Sequence, residues 1–129
     1  AKILTDQAGS SQWFERGFVT YSNAAKQEML GVSGETLNHH GAVSEATVSE
    51  MCAGALANSH AQVALAISGI AGPDGGSADK PVGSVWFGWC YFSGLCSQQL
   101  RVFSGDRESV RQQAAEYALR GMLDFLQNG

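Results

Sequence analysis

The sequence has 129 residues, of which 44% are hydrophobic and 16% are charged, and its formal net charge is −4. This length predicts one domain over residues 1–129, with enough chain to bury a core without added cross-links. The composition excludes intrinsic disorder and a coiled coil. The mildly acidic balance gives no overall electrostatic reason to bind nucleic acid or an anionic membrane.

The start of the chain predicts a partial helix followed by a short strand. Residues 1–8 are typical of the second half of a helix, and Gly9 is typical of the residue that ends one. No capping residue precedes this helix, so we expect the true N-terminus of the protein to lie upstream. Residues 17–21 are rich in β-branched and aromatic side chains, which predicts a strand.

Helices with clear start and stop signals follow. Ser22 or Asn23 caps a helix that Gly31 ends, and Ser33 caps a second helix that Gly41 ends. A third helix opens at residues 44–45. It carries apolar side chains at amphipathic spacing, namely Val48, Met51, Cys52, Ala55 and Leu56.

Three apolar runs predict strands at 63–67, 82–92 and 95–103. The first two runs are apolar on both strand faces, which is typical of strands covered from both sides. The third alternates with polar residues and suits a strand with one wetter face. Asp106 then caps a last helix with an apolar stripe. This order predicts an α/β fold, specifically a three-layer α/β/α sandwich with a mixed sheet.

The cysteine pattern predicts free thiols. Three cysteines are an odd number and none forms a Cys-x-x-Cys pair, so reduced thiols in a cytoplasmic protein fit better than a disulfide framework. Ser93 and Gly94 predict a two-residue hairpin turn. In that register Cys96 lies opposite Tyr91, and a bridge between Cys90 and Cys96 is not expected.

Two features can carry chemistry on residue type alone. The glycine-rich stretch 68–77 follows a buried strand but matches neither dinucleotide nor P-loop spacing, so it is either a flexible connection or an anion-binding loop. Lys26 falls in the first turn of a helix just after Tyr21. The helix dipole disfavours an ammonium there and would lower its pKa, which suits a general base, although a solvated surface lysine is the plainer interpretation.

The remaining polar residues give weaker signals. His39, His40 and His60 show no metal-ligand spacing, so no metal is expected. Arg107 follows the cap of the last helix and either faces a ligand anion or pairs locally with a carboxylate. The serines at positions 10 and 11 have no adjacent histidine, which does not support a Ser-His-Asp hydrolase.

Four stretches of the sequence carry a resemblance to a known family. AGSSQWFERGFVTYSNAAKQEMLGV, HGAVSE, SGIAGPDGGSADKPVGSVWF and FSGDRESVRQQA closely resemble the C-terminal domain of the competence/damage-inducible protein CinA. That family includes stand-alone nicotinamide-nucleotide amidohydrolases. The resemblance implies hydrolysis of the carboxamide of nicotinamide mononucleotide (NMN) to nicotinate mononucleotide and ammonia, in pyridine-nucleotide recycling. It also implies no metal or cofactor, and a homo-oligomer.

The resemblance also implies roles for particular residues. Tyr21 and Lys26 match the residues that activate a nucleophilic serine in the family. Ser11 matches a residue near the substrate, and Arg107 is the expected cation for a substrate anion. Ser68 and Gly69 match the Thr-Gly that opens the family's glycine-rich loop, with Ser in place of Thr, and are expected to bind the substrate. The serine itself belongs to an Ala-Glu-Ser-Cys-Thr-Gly-Gly motif that this sequence does not contain, so we expect the 129 residues by themselves to be inactive. A non-catalytic nucleotide-binding module is the alternative.

Overall fold

A computed structural model describes residues 1–128, which form helices and one sheet and confirm the α/β class. In chain order the elements are α1 (Lys2–Thr5), a 3₁₀ turn (Ser10–Gln12), α2 (Asn23–Leu30), α3 (Gly34–His40), α4 (Glu45–Ala57), β1 (Val63–Gly69), β2 (Ser84–Tyr91), β3 (Cys96–Val102) and α5 (Arg107–Asn128). Within residues 1–128 no helix is both long enough and apolar enough to cross a bilayer.

The three strands lie in the order β1-β2-β3, and both neighbouring pairs are antiparallel. The mixed sheet expected from the sequence is therefore wrong for the described residues. The physical reason is the connection between β1 and β2. A parallel pair needs a crossover, which is usually a helix, whereas residues 70–83 form a loop without a helix and bring the chain straight back beside β1.

Helices cover the sheet on both faces because alternate residues of β2 point to opposite sides. On one face, Val85, Phe87 and Trp89 pack with the apolar stripe of α5. On the other face, Cys90 packs in a second core with residues of α2, α3 and α4. The continuous apolar run in β2 thus reflects a strand that is covered from two directions, as its sequence predicts.

The helix starts confirm the predicted caps. The hydroxyl oxygens of Ser22 and Ser44 accept hydrogen bonds from the backbone N–H groups of residues 25 and 47, at 3.0 and 3.1 Å. Ser33 caps α3 in the same way, and Asp106 accepts from the N–H of residue 109 at 2.9 Å. These bonds satisfy N–H groups that the first turn of a helix leaves unpaired.

The strand predicted over residues 17–21 does not form. This segment has no strand assignment, and Val19 is 86% exposed. A high β-propensity describes a side chain that fits a pleated, half-buried surface. Among residues 1–128 no strand lies beside this segment to provide that surface.

The hairpin between β2 and β3 also differs from its prediction. Its loop has three residues, 92–94, because the N–H of Tyr91 donates to the carbonyl of Leu95 at 2.8 Å. Gly94 occupies a position with φ of 103°, which favours glycine. The longer loop shifts the register by one residue and pairs Cys90 with Cys96. These two cysteines form a disulfide, so the expectation of reduced thiols is wrong for both of them.

Gly54 is the place where α4 comes closest to the end of α2. A Cβ atom added at Gly54 would lie 1.8 Å from the carbonyl oxygen of Leu30. That atom belongs to the backbone, so two helices would have to move apart to relieve the clash. We expect Gly54→Ala to lower the free energy of unfolding by about 3 kcal/mol, the upper end for an overpacked core.

Urea denaturation followed by circular dichroism measures this change. Gly34→Ala is the matched control, because its added Cβ would lie 3.5 Å from the nearest side-chain atom. Alanine also favours helix over glycine by about 1 kcal/mol. The control should therefore match or exceed the wild-type stability. Equal stabilities of the Gly54→Ala variant and the wild type would contradict the close approach of the two helices.

Candidate active site

A pocket of about 370 Å³ lies where β1 ends, between the start of α2, the connection from α3 to α4, and the glycine-rich loop. This volume falls in the range of pockets that bind small molecules. The first residue of α5 completes its wall. The lining residues are Tyr21, Asn23, Lys26, Ala42, Val43, Ser68, Gly69, Ile70, Ala71, Gly72, Asp74, Gly75 and Arg107.

Lys26 is the buried cationic residue of this pocket, with only 6% of its surface exposed. Its Nζ donates hydrogen bonds to the backbone carbonyls of Thr20 at 2.9 Å and Tyr21 at 3.4 Å. Burial lowers the pKa of Lys26 below its ordinary value of 10.5, because the charged form loses water. The direction of this pKa change agrees with the expectation from the sequence, and burial is its cause.

Tyr21 lies at the mouth of the pocket and is 87% exposed. Its backbone carbonyl accepts a bond from Lys26 Nζ. The phenol is on the solvent side, so solvent or a ligand can reach it. The backbone and the side chain of this residue therefore contribute separately to the site.

Ser68 and Gly69 end β1 and line the pocket. The Ser68 hydroxyl donates to the carbonyl of Ala42 at 2.7 Å, which ties β1 to the connection between α3 and α4. A Cβ added at Gly69 would lie 2.7 Å from a methyl group of Val85. Glycine at this position thus allows β1 and β2 to approach closely.

Arg107 begins α5 and reaches the glycine-rich loop. Its Nη1 donates to the carbonyl of Gly72 at 3.0 Å. The two ion pairs of the described residues, Lys2 with Asp6 and Glu15 with Arg16, do not include it. Of the two possibilities that the sequence left open, local pairing with a carboxylate is therefore not observed within residues 1–128. The guanidinium keeps further N–H donors for a ligand.

Ser11 is the one predicted site residue that the structure does not bring to this pocket. It lies in the exposed 3₁₀ turn, and it is absent from the residues that line the pocket. The other five, Tyr21, Lys26, Ser68, Gly69 and Arg107, all line it. They come from three separate parts of the chain, and only the fold brings them together.

Over residues 1–126 the sequence matches the family of the CinA C-terminal domain. The chain belongs to this family. The nicotinamide-nucleotide amidohydrolase PncC of Enterobacter agglomerans is 59% identical over 129 residues, which cover 99% of this chain and 79% of the relative. The PncC of Escherichia coli strain K12 is also 59% identical, over 99% of this chain and 78% of its own length.

Solved structures of the CinA family have the same fold. A competence damage-inducible protein A from Klebsiella pneumoniae superposes with a TM-score of 0.92 at 43% identity, covering 96% of this chain and 76% of that one. The competence/damage-inducible protein CihA of Agrobacterium tumefaciens gives 0.90 at 45% identity, covering 94% of this chain and 74% of that one.

Sequence reasoning missed two polar residues of this CinA-family pocket. Asn23 lies three residues before Lys26, so both occupy one side of α2, and that spacing was a usable signal. Asp74 gave no comparable signal, because in the sequence it is only one polar residue within a glycine-rich loop. Among the described residues no group of three or more His, Cys, Asp or Glu side chains is arranged to hold a metal ion.

The lowered pKa of Lys26 predicts how the stability of the folded protein changes with pH. In the folded protein the ammonium releases its proton at a lower pH than in the unfolded chain. Between these two pKa values the unfolded chain binds more protons, so stability rises with pH. We therefore expect the wild type to gain stability relative to Lys26→Met as the pH rises through this window towards 10.5.

Denaturation curves at several pH values measure the difference between the two proteins. Lys2→Met is the control, because the Lys2 side chain is 87% exposed. The stability difference for Lys26→Met should change more over this window than the difference for Lys2→Met. Equal changes for the two variants would show that burial does not move the titration of Lys26.

Proposed function

We propose that this chain is an amidohydrolase that converts NMN and water to nicotinate mononucleotide and ammonia. The observation that carries this proposal is the pocket, which combines a desolvated lysine amine with the guanidinium of Arg107. The 59% identity to relatives named nicotinamide-nucleotide amidohydrolase, over nearly the whole chain, supports the same substrate.

In the proposed reaction a serine hydroxyl attacks the carboxamide carbon, and neutral Lys26 Nζ accepts the proton of that hydroxyl. The ammonium then passes this proton to the departing nitrogen, the C–N bond breaks and ammonia leaves. Water attacks the resulting acyl group, which restores the serine and releases the carboxylate product. Burial of Lys26 supports its role as the base, since a lowered pKa increases the neutral fraction of the amine.

The nucleophile in this proposal is the serine of the family's Ala-Glu-Ser-Cys-Thr-Gly-Gly motif. The hydroxyls closest to the site have other tasks, which supports this choice. Ser22 caps α2 through the N–H of Ala25, and Ser68 donates to the carbonyl of Ala42. Lys26 Nζ has two carbonyl partners within the described chain, and neither is a hydroxyl. Tyr21 is proposed to relay the proton or to hold the serine.

Ammonia release from NMN tests the proposal, measured on the 129 residues alone and on the same residues preceded by the serine motif. We expect activity only when the motif is present. Lys26→Ala in the active protein should lower turnover by ~10²–10⁴-fold, the usual contribution of a positioned acid–base group. Lys2→Ala is the control and should leave turnover unchanged, because that side chain is exposed and does not line the pocket.

Three results would redirect the proposal. A Lys26→Ala protein that turns over at the wild-type rate would remove Lys26 as the base. Full activity of the 129 residues alone would move the nucleophile to Ser11, Ser22 or Ser68. Binding of NMN without ammonia release in either protein would favour the non-catalytic nucleotide-binding module.

Arg107 is proposed to hold the phosphate of NMN. A guanidinium binds an anion through two parallel hydrogen bonds, for which an ammonium is a poor substitute. Arg107→Lys should therefore raise KM for NMN. It should barely change the weaker turnover of nicotinamide riboside, which has no phosphate. Equal losses with both substrates would assign Arg107 a structural role through its bond to Gly72.

The location, the assembly and the partners of the protein are part of the same proposal. We infer a cytoplasmic homo-oligomer that takes a small-molecule substrate and binds neither nucleic acid nor a membrane. The net charge of −4 supports the absence of an anionic polymer partner. The disulfide between Cys90 and Cys96 removes the cysteine pattern as support for the cytoplasmic location.

A further inference from the structure

Asp74 is the single carboxylate among the described residues that line the pocket. It lies in the glycine-rich loop, two residues after the carbonyl that Arg107 binds. The ion pairs within residues 1–128 lie elsewhere, at Lys2–Asp6 and Glu15–Arg16, so no cation of the described chain neutralises Asp74. A carboxylate in a ligand-sized pocket that is not paired with the neighbouring arginine is available to a ligand.

The loop around Asp74 is held in place by close packing. A Cβ added at Gly72 would lie 2.5 Å from a methyl group of Val82, and one added at Gly76 would lie 2.7 Å from the backbone nitrogen of the same residue. The bond from Arg107 to the carbonyl of Gly72 adds a third restraint. Asp74 therefore stands on a backbone segment that is anchored on two sides, and its exposed side chain lies at the pocket wall.

The charges of the pocket suggest what Asp74 recognises. Lys26 and Arg107 place two basic groups in the wall, and Asp74 adds one negative charge. The ligand of the proposed function carries a phosphate and a positively charged pyridinium ring. The guanidinium of Arg107 would repel a pyridinium ring, whereas a carboxylate nearby attracts it.

We infer that Asp74 is a specificity-determining residue that selects ligands with a positively charged pyridinium ring, by placing its carboxylate beside that ring. This inference rests on the proposed function, because it takes the ligand class from it. It goes further in assigning a residue that distinguishes the oxidised, cationic ring from a neutral ring of the same shape. The carboxylate acts on binding and takes no part in bond breaking.

The experiment compares two ligands that differ in the charge of the ring. NMN has a cationic ring, and its reduced form has a neutral dihydropyridine ring with the same ribose, phosphate and carboxamide. Isothermal titration calorimetry measures the dissociation constants of both ligands for the 129-residue chain, in which no hydrolysis of NMN is expected, and for its Asp74→Asn and Asp79→Asn variants. Asp79→Asn is the matched control, because it removes the same charge from the same loop at an exposed position outside the pocket lining.

We expect Asp74→Asn to weaken NMN binding about tenfold, which corresponds to about 1.4 kcal/mol, and to leave binding of reduced NMN unchanged. Asp79→Asn should leave both constants unchanged. Asp74→Glu keeps the charge and should restore a part of the preference for NMN, which a merely structural role of Asp74 would not produce.

Four results would overturn the inference. Equal weakening of both ligands would assign Asp74 to the ribose, the phosphate or the loop structure. No change in either dissociation constant would show that Asp74 does not contribute to recognition. Equal effects of Asp74→Asn and Asp79→Asn would show that binding responds to the net charge of the protein and not to the position of Asp74. If the wild type binds NMN and the variants give one of these three patterns, only the role of Asp74 is disproved. If the wild type does not bind NMN, the proposed function is disproved as well.

Discussion

The burial of β2 on both faces is the constraint on which the rest of the structure depends. Phe87 is fully buried against α5, and its neighbours on the opposite face pack under α4. Removing apolar area from water on two sides of one strand requires a helix on each side. The positions of α4 and α5 follow from this requirement.

The pocket is a consequence of how that loop is tied down. The loop must return from the end of β1 to the start of β2 while it crosses the ends of α3 and α5. Ser68 fastens its beginning to Ala42, and Lys80 fastens its far end to the carbonyl of His40 at 2.5 Å. Arg107 binds the carbonyl of Gly72, a few residues further along the loop. Between these three attachments the loop leaves a cavity next to Lys26 instead of collapsing onto the sheet.

The desolvation of Lys26 depends on the same arrangement. The cap of Ser22 starts α2 where the next turn carries Lys26 into the wall of the pocket, and carbonyls of the preceding segment accept its N–H groups. An ammonium so placed has hydrogen-bond partners but little water, and both facts matter. The partners hold the amine in one place, while the loss of water favours its neutral form.

Local patterns in the sequence determined the elements. Polar caps at Ser22, Ser33, Ser44 and Asp106, and apolar runs at 63–67 and 82–92, are local signals that depend on neighbouring residues only. The helices, the three strands and the burial of β2 could therefore be predicted from them. The candidate residues Tyr21, Lys26 and Arg107 could also be named, although their association in one pocket came from the family resemblance and not from any local pattern.

Tertiary structure alone decided strand direction, hairpin register and the contents of the pocket. Whether residues 70–83 return antiparallel depends on what they pack against, and a loop of three residues instead of two brought Cys90 opposite Cys96. Residues 17–21 have strand-forming side chains, but a strand also needs a neighbour. Asp74 lines the same pocket as Lys26 and Arg107 for a similar reason. Contacts between residues far apart in the chain depend on the packing of the whole domain, which no short stretch of sequence encodes.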